Sequence, residues 1–394
     1  MNTSTQARRK ELGELAWLFF KLGATAFGGP AAHVGMMEDE VVRRRKWLTS
    51  EEFLDLLGAT NLIPGPNSTE MAIQIGHRRA GWPGLIVAGA CFILPAALIV
   101  TGIAWAYVQY GTLAEARGVL YGIKPVIIAV VVQALWGLGK SALKNSHLAV
   151  LGIGAAAANL VGTNELLVLF AAGVAMAVIQ FFKKRPGSPP MPAIVPPVFS
   201  GQPILTTITA GTATAGVAVS FGLWPLFLFF LKVGAVLYGS GYVLLAFLRS
   251  DLVERFGWLT ESQLLDAIAV GQMIPGPVFT TATFIGYLLG GLPAAGLATL
   301  GIFLPAFFFV AASGPLIPRL RRSPIAGAIL DGVNVASLAL MAVVTWHLGR
   351  TALVDWPTVL LALAAAVLLL HYRLNSAWLV LGGATIGLLK TLLG

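Results

Sequence analysis

The sequence predicts an all-α polytopic membrane protein built from two inverted-topology repeats that contain re-entrant or broken helices. Three observations carry this reading. Of 394 residues, 57% are hydrophobic and 11% charged, whereas soluble domains run at about 25% charged. Several apolar runs reach or approach the roughly 20 residues that span a bilayer as a helix. And the stretch that begins at Phe19 returns 211 residues later: Lys21-Leu22-Gly23 as Lys232-Val233-Gly234, Phe27-Gly28 as Tyr238-Gly239, Trp47-Leu48-Thr49 as Trp258-Leu259-Thr260, and Pro64-Gly65-Pro66 as Pro275-Gly276-Pro277. After a one-residue slip, Gly76, Gly81, Pro83 and Pro95 match Gly286, Gly291, Pro293 and Pro305. A near-constant offset over about 75 residues is a duplication.

Residues 1–11 are polar and basic and read as a cytoplasmic N-terminus. Arg8, Arg9 and Lys10 are followed by Glu11 and Glu14 rather than by a short apolar core and small-residue cleavage site, so no cleaved signal peptide is expected. The first repeat covers 12–182. Residues 12–29 are apolar apart from Glu14 and Lys21 and end in Phe27-Gly28-Gly29-Pro30. That run cannot continue a regular helix, because proline lacks an N–H and disfavours helix in the residue before it. A mixed patch follows, with His33, Glu38, Asp39, Glu40 and a basic run from Arg43 to Lys46.

At 53–76 two apolar arms, Phe53–Ile63 and Asn67–Gly76, flank Pro64-Gly65-Pro66. Each arm makes about 16 Å of helix, half of a hydrocarbon core about 30 Å thick. The arms suit a re-entrant hairpin, or a broken helix, with its turn near mid-membrane. Such backbone is tolerated only against protein or a water-filled cavity. Residues 82–108 and 118–139 read as ordinary spans, and 147–182 as two short ones around Gly162–Glu165.

Residues 183–203 carry seven prolines and read as an extended cytoplasmic spacer. Residues 204–220 read as an extra span. The second repeat, 221–394, then follows the same plan: a Lys232 segment, a charged patch (Arg249, Asp251, Glu254, Arg255), a Pro275 hairpin, and spans at 291–311, 325–349, 354–371 and 376–393.

Basic residues set the expected orientation. If the Lys21 and Pro64 units both dip in and return to one side, that side holds Arg8, Arg9, Lys10, Arg43–Lys46, Arg78, Arg79, Lys140, Lys144, Lys183–Arg185, Arg319, Arg321, Arg322 and Arg373. These are 18 of the 26 basic residues, as expected of a cytoplasmic face. With five spans between them, the repeats then enter from opposite faces, the pattern of secondary transporters. The net charge of +9 is accounted for by basic loops at a membrane surface, without nucleic acid. Cys91 stands alone, which leaves no internal disulfide and no thiolate metal cluster.

Lys21 and Lys232 are the first site candidates. A lysine deep in an apolar segment costs a few kcal/mol on insertion scales. One alone reads most simply as snorkelling to the interface; two at matched positions suggest a cationic site for an anion. The turns come second. Broken helices point free N–H groups and positive dipole ends into the protein, where they bind oxyanions, although such turns also serve as packing kinks. The turn candidates are Phe27, Gly28, Gly29, Pro30, Pro64, Gly65, Pro66, Asn67 and Ser68, with Tyr238, Gly239, Ser240, Gln272, Pro275, Gly276, Pro277 and Thr280 in the second copy. His33, Glu38, Glu40, Glu70 and Asp251 are candidates for carrying coupling protons. Carboxylates in a mixed patch are more often solvated or paired; Glu40 and Asp251 are repeat mates. No catalytic motif, resident metal or cofactor is expected. The absence of a phosphate-binding loop leaves ion gradients or the membrane potential as the drive.

The run F-K-L-G-x(3)-F-G-G-P-x-A-H from Phe20 to His33, the E-x-V-x-R-R patch from Glu40 to Arg45, and Pro64-Gly65-Pro66-Asn67 together resemble the chromate ion transporter family, in its long-chain, two-domain bacterial form. The resemblance covers both repeats. It implies a bacterial inner-membrane protein with about 13 membrane segments and oppositely oriented halves, which expels chromate and so confers chromate resistance; some members are linked to sulfate. The second repeat departs from the pattern at Gly239-Ser240-Gly241 and at Val278. A sulfate or other oxyanion carrier is the alternative, and an intramembrane lipid-handling enzyme a more distant one. A homodimer is left open.

Overall fold

The computed structural model describes residues 3–27, 29–183, 221–237, 244–313, 323–372 and 374–393, and regular structure among them is helical throughout. The expected spacer beyond Lys183 and the expected extra span at 204–220 lie outside the described residues.

In the first half, α1 is Thr3–Thr25 and α2 is Gly29–Glu38, which runs on as a π-helical stretch, Asp39–Arg44. Then come α3 (Ser50–Thr60), α4 (Asn67–Tyr110), α5 (Ala114–Ala142), α6 (Ser146–Leu160) and α7 (Glu165–Lys183). The second half has α8 (Leu223–Val236), α9 (Leu244–Phe247) with a π-helical stretch (Leu248–Arg255), and α10 (Glu261–Met273). A 3₁₀ turn (Val278–Thr280) leads into α11 (Thr281–Ser313), followed by α12 (Pro324–Ala352), α13 (Trp356–Leu370) and α14 (Ser376–Leu393). The halves match element for element, including the π-helical stretch after the lysine helix and the capping box at Thr49 and Thr260. The duplication also runs past its motif region. Asn145 and Asp355 cap α6 and α13 at the same offset of 210.

α4 is a hairpin rather than one rod. Ala80 and Gly81 leave helical geometry, with Gly81 at φ 63°, a left-handed conformation natural to glycine. The arm 67–79 folds back along the arm 82–110, so that a side chain at Gly76 would strike the Gly84 carbonyl. α11 does the same at Gly290-Gly291.

Contacts between charged groups then fix the depth of each piece. Arg78, at the end of the 67–79 arm, pairs with Glu52, at the start of α3, at 3.0 Å. The two arms therefore open at one face and close at the Pro64 turn. Arg79 reaches Glu11 and Glu14 at 3.9 and 3.8 Å and covers the Trp47 ring. So α1 and its return also start and finish at that near face. Both units dip in and come back.

The second copy starts from the other side. The 82–110 arm runs about 43 Å from Trp82, enough to cross a bilayer. Near its far end Tyr107 donates to Asp266 of α10 at 2.9 Å, and Lys124 of α5 donates to Ser262 at 2.7 Å. α10 is the repeat mate of α3, so the open end of the second hairpin lies at the far face. The two copies are inverted.

Six of the described helices are long and apolar enough to cross a membrane, and α6, α8 and α13 are shorter apolar helices. Large apolar side chains such as Leu98, Ile153, Phe170 and Phe308 face outward, as a lipid-facing surface requires. The protein is an all-α, multi-pass membrane protein.

Candidate functional site

The candidate site is where the tips of the two inverted units meet. The Gly65 N–H donates to the Leu237 carbonyl at 2.6 Å, and the Gly276 N–H donates to the Ala26 carbonyl at 2.9 Å. Leu237 is the repeat mate of Ala26, and Gly276 of Gly65. Each proline turn is thus hydrogen-bonded to the helix break of the other copy, across a pseudo-two-fold axis. Both turn glycines need positive φ, 141° at Gly65 and 90° at Gly276, which other residues rarely adopt. The flanking prolines keep the turn from closing into helix.

These bonds occupy part of the donor set that the sequence offers to an anion. The N–H groups of Asn67 and Ser68, and those of Val278 and Phe279, have no backbone acceptor among the described residues. They are the open first-turn donors of the two inward-pointing helix starts. Ser68 is buried there. The Asn67 side chain donates to Asn61 at 2.9 Å. In the second copy Val278 stands in place of Asn67, and the Gln272 amide nitrogen, mate to Asn61, is buried without a hydrogen-bond partner among the described residues. The Thr280 hydroxyl donates to the Pro277 carbonyl.

The lysines lie one turn short of the tips, and neither stands alone. Lys21 pairs with Glu40 at 3.3 Å, and Lys232 pairs with Asp251, the repeat mate of Glu40. Arg44 and Arg45 also hold Glu40, at 3.4 and 3.3 Å, and Arg255 approaches Asp251 at 3.6 Å. Both carboxylates sit in the π-helical stretches, an arrangement that recurs at functional sites. Each lysine side chain remains partly open, 47% for Lys21 and 36% for Lys232. Each unit therefore carries a lysine–carboxylate pair beside its break.

The other coupling candidates separate. Glu38 is an outer group, paired with Arg43 at 3.7 Å. His33 is 1% exposed. Its Nε2 hydrogen-bonds the Ala26 carbonyl at 3.0 Å, the same carbonyl that receives Gly276. Its repeat mate is Leu244, so this brace exists in the first copy alone. Glu70 is fully buried in the first turns after Pro66, and neither carboxyl oxygen has a hydrogen-bond partner among the described residues. Phe27 is exposed beside the break, and Gly29 (φ 76°) and Pro30 open α2. Gly28, Tyr238, Gly239 and Ser240 lie outside the described residues.

Two sets of contacts could not be assembled from the sequence, although Asp266 stands out there as an acid matched to Asp55. Ala26 and Leu237 act through backbone carbonyls, which any residue supplies. The far-face cluster of Tyr107, Lys124 and Asp266 joins groups far apart in the chain. Lys124 pairs with Asp266 at 3.1 Å, across the boundary between halves. The cluster lines a cavity of about 370 Å³ together with Arg117, Tyr121 and Ser262.

The chromate transporter family model matches twice, at residues 13–178 and 224–388, one match for each inverted half. The chain belongs to the chromate transporter family. Its relatives include the chromate transport protein of Cupriavidus metallidurans, 32% identical over 96% of this chain and 92% of the relative. The probable chromate transport protein of Synechococcus elongatus is 32% identical over 90% and 89%. The chromate transport protein of Pseudomonas aeruginosa is 30% identical over 84% and 80%. No solved structure matches the chain. Within this family assignment, the Phe20–His33 run and the Pro64–Asn67 turn that suggested the resemblance are the pieces that build the tip-to-tip junction.

Proposed function

We propose that this member of the family is a secondary transporter that carries chromate out of the cytoplasm across the bacterial inner membrane and so confers chromate resistance. One observation carries the reading: two half-membrane hairpins of opposite insertion meet at their turns, in a chain whose relatives are named chromate transport proteins. Chromate is a tetrahedral dianion and needs several donors and nearby positive charge. The N–H groups at 67–68 and 278–279, the Ser68 hydroxyl and the Gln272 amide supply donors. Lys21 and Lys232 supply positive charge that is partly offset by Glu40 and Asp251. The near face carries Arg43–Lys46, Arg78 and Arg79, which supports a cytoplasmic N-terminus.

The halves would alternate access by rocking about the junction, as inverted-repeat carriers do. Moving one charge through the membrane potential is worth about 2.3 kcal/mol per 100 mV. A dianion leaving a negative interior gains twice that, so the potential drives export, with or without proton exchange. The same donors suit sulfate, which makes sulfate the competitor to test. Neither reading requires a homodimer. The relatives' names favour transport over a lipid-handling enzyme.

The test is chromate tolerance of cells and chromate uptake by inverted vesicles, with Lys21→Ala and Lys232→Ala proteins present at wild-type level. Both variants should transport less, and excess sulfate should slow the wild type if the site reads shape and charge alone. Full transport by both variants would remove the lysines from the site, and no chromate flux in the wild type would end the chromate reading.

A further inference from the structure

Glu70 is the buried titratable group for which neither packing nor the anion site gives a role. It sits one turn into the helix whose open N–H groups face the junction, and its Oε1 lies against Gly65 of the turn. The side chain is 0% exposed and neither oxygen has a hydrogen-bond partner among the described residues. Ala306, from the second arm of α11, faces the same Gly65 position, and it belongs to an apolar cluster with Ile63, Ile73 and Val310. Gln74, one turn further along the same helix face, also has an unpaired amide nitrogen. Titratable groups on the elements that meet here include Lys21 on α1, paired with Glu40, His33 on α2, bonded to Ala26, Glu52 on α3, paired with Arg78, Lys232 on α8, engaged with Asp251, and Asp266 on α10, paired with Lys124. No described cation pairs with Glu70. Its repeat mate is Thr281, so the second unit has no acid at this place.

A carboxylate buried without a partner is among the most costly states a side chain can take. Two things relieve the cost, a proton on the carboxyl or escape from the site. A dianion arriving at the same turn adds like charge and leaves the proton as the better of the two. We propose that Glu70 is the proton-binding group of the transport cycle, and that the oxyanion occupies the junction only while Glu70 is protonated. Proton and dianion are then bound together, and the loaded carrier moves one net negative charge instead of two. The proposal rests on the oxyanion-carrier reading above and names the group that couples it to pH.

The test is binding to the purified protein in detergent, with chromate and, because it stays a dianion throughout, sulfate as probes. Affinity is measured between about pH 7 and about pH 9, where one-proton linkage weakens it by up to about tenfold per unit. Proton uptake on anion addition is read in weakly buffered solution. Wild type should bind less tightly as pH rises and take up protons in step with that slope, reaching one per anion where affinity falls about tenfold per unit. Glu70→Gln should bind with no pH dependence and take up none, while Glu70→Asp, which checks that the site tolerates substitution, keeps both. Wild-type pH dependence and proton uptake retained in Glu70→Gln would overturn the role of Glu70 and leave the carrier reading standing. If no protein binds either anion at any pH, the carrier reading fails and this proposal fails with it.

Discussion

Lys232 and Lys21 are repeat mates with unequal surroundings. Glu40 keeps two arginines when Lys21 is removed, whereas Asp251, more deeply buried, keeps only Arg255 at 3.6 Å among the described residues. Lys232→Ala should therefore destabilise more than Lys21→Ala. The expected size is about 1–3 kcal/mol, between an exposed pair and a buried one. Thermal unfolding in detergent measures it, and adding Asp251→Ala to Lys232→Ala should recover part of the loss. The turn glycines differ in the same way. A Cβ at Gly276 would meet the Ala96 Cβ at 2.7 Å and the Gly23 carbonyl oxygen at 2.8 Å, whereas at Gly65 it meets chiefly the Glu70 carboxyl. Backbone strain alone costs either alanine variant about 1–2 kcal/mol. The Gly65 clash is the closer one but falls on the end of a side chain that can swing aside, whereas at Gly276 it falls on backbone and a Cβ, so Gly276→Ala should lower the unfolding temperature more than Gly65→Ala. The lysines were legible from the sequence as matched positions, and Glu40 and Asp251 as matched acids. That each lysine meets its acid was not legible, because the contact depends on how α2 and its π-helical continuation return past α1.

At the scale of the element, the 50–79 hairpin is closed at its open end by Glu52. Its carboxyl is held below the usual carboxylate range by the Thr49 backbone N–H and by the Arg78 guanidinium. A carboxyl with a lowered folded pKa contributes stability that is complete above its ordinary pKa of about 4.3 and is lost as pH falls through the lower folded value. Glu52→Gln keeps the capping geometry and drops the ion pair. Its unfolding temperature should trail wild type at neutral pH, and the gap should close in acid. The half-length arms and the proline turn could be read directly, since proline and glycine interrupt helix wherever they stand. The second bend of the hairpin could not: Gly81 looks like any glycine in an apolar helix until the 82–110 arm packs back on 67–79. The tip hydrogen bonds were hidden for a different reason, because Ala26 and Leu237 contribute carbonyls and their side chains carry no information about it.

At the scale of the whole molecule, the two halves are related by inversion. Positive charge on one set of loops pointed to it from the sequence, and the contacts of Tyr107 and Lys124 with α10 place the second hairpin at the far face. The Tyr107–Asp266–Lys124 cluster ties the halves together there, so in the proposed cycle it is the contact to part when the far face opens. Asp266→Asn should weaken that tie and change the rate of chromate flux in vesicles; unchanged flux would show that this face does not open through the cluster. Orientation itself has a direct measurement. Cys91 is the sole cysteine, so a Cys91→Ser protein can carry one reporter at a time. Arg43 and its repeat mate Glu254 are both exposed and suit the purpose as Arg43→Cys and Glu254→Cys. In intact cells a membrane-impermeant maleimide should label Glu254→Cys and spare Arg43→Cys until the membrane is opened. Labelling of both from the same side would contradict the inverted arrangement, and with it the junction of opposed hairpins on which the proposed transport site is built.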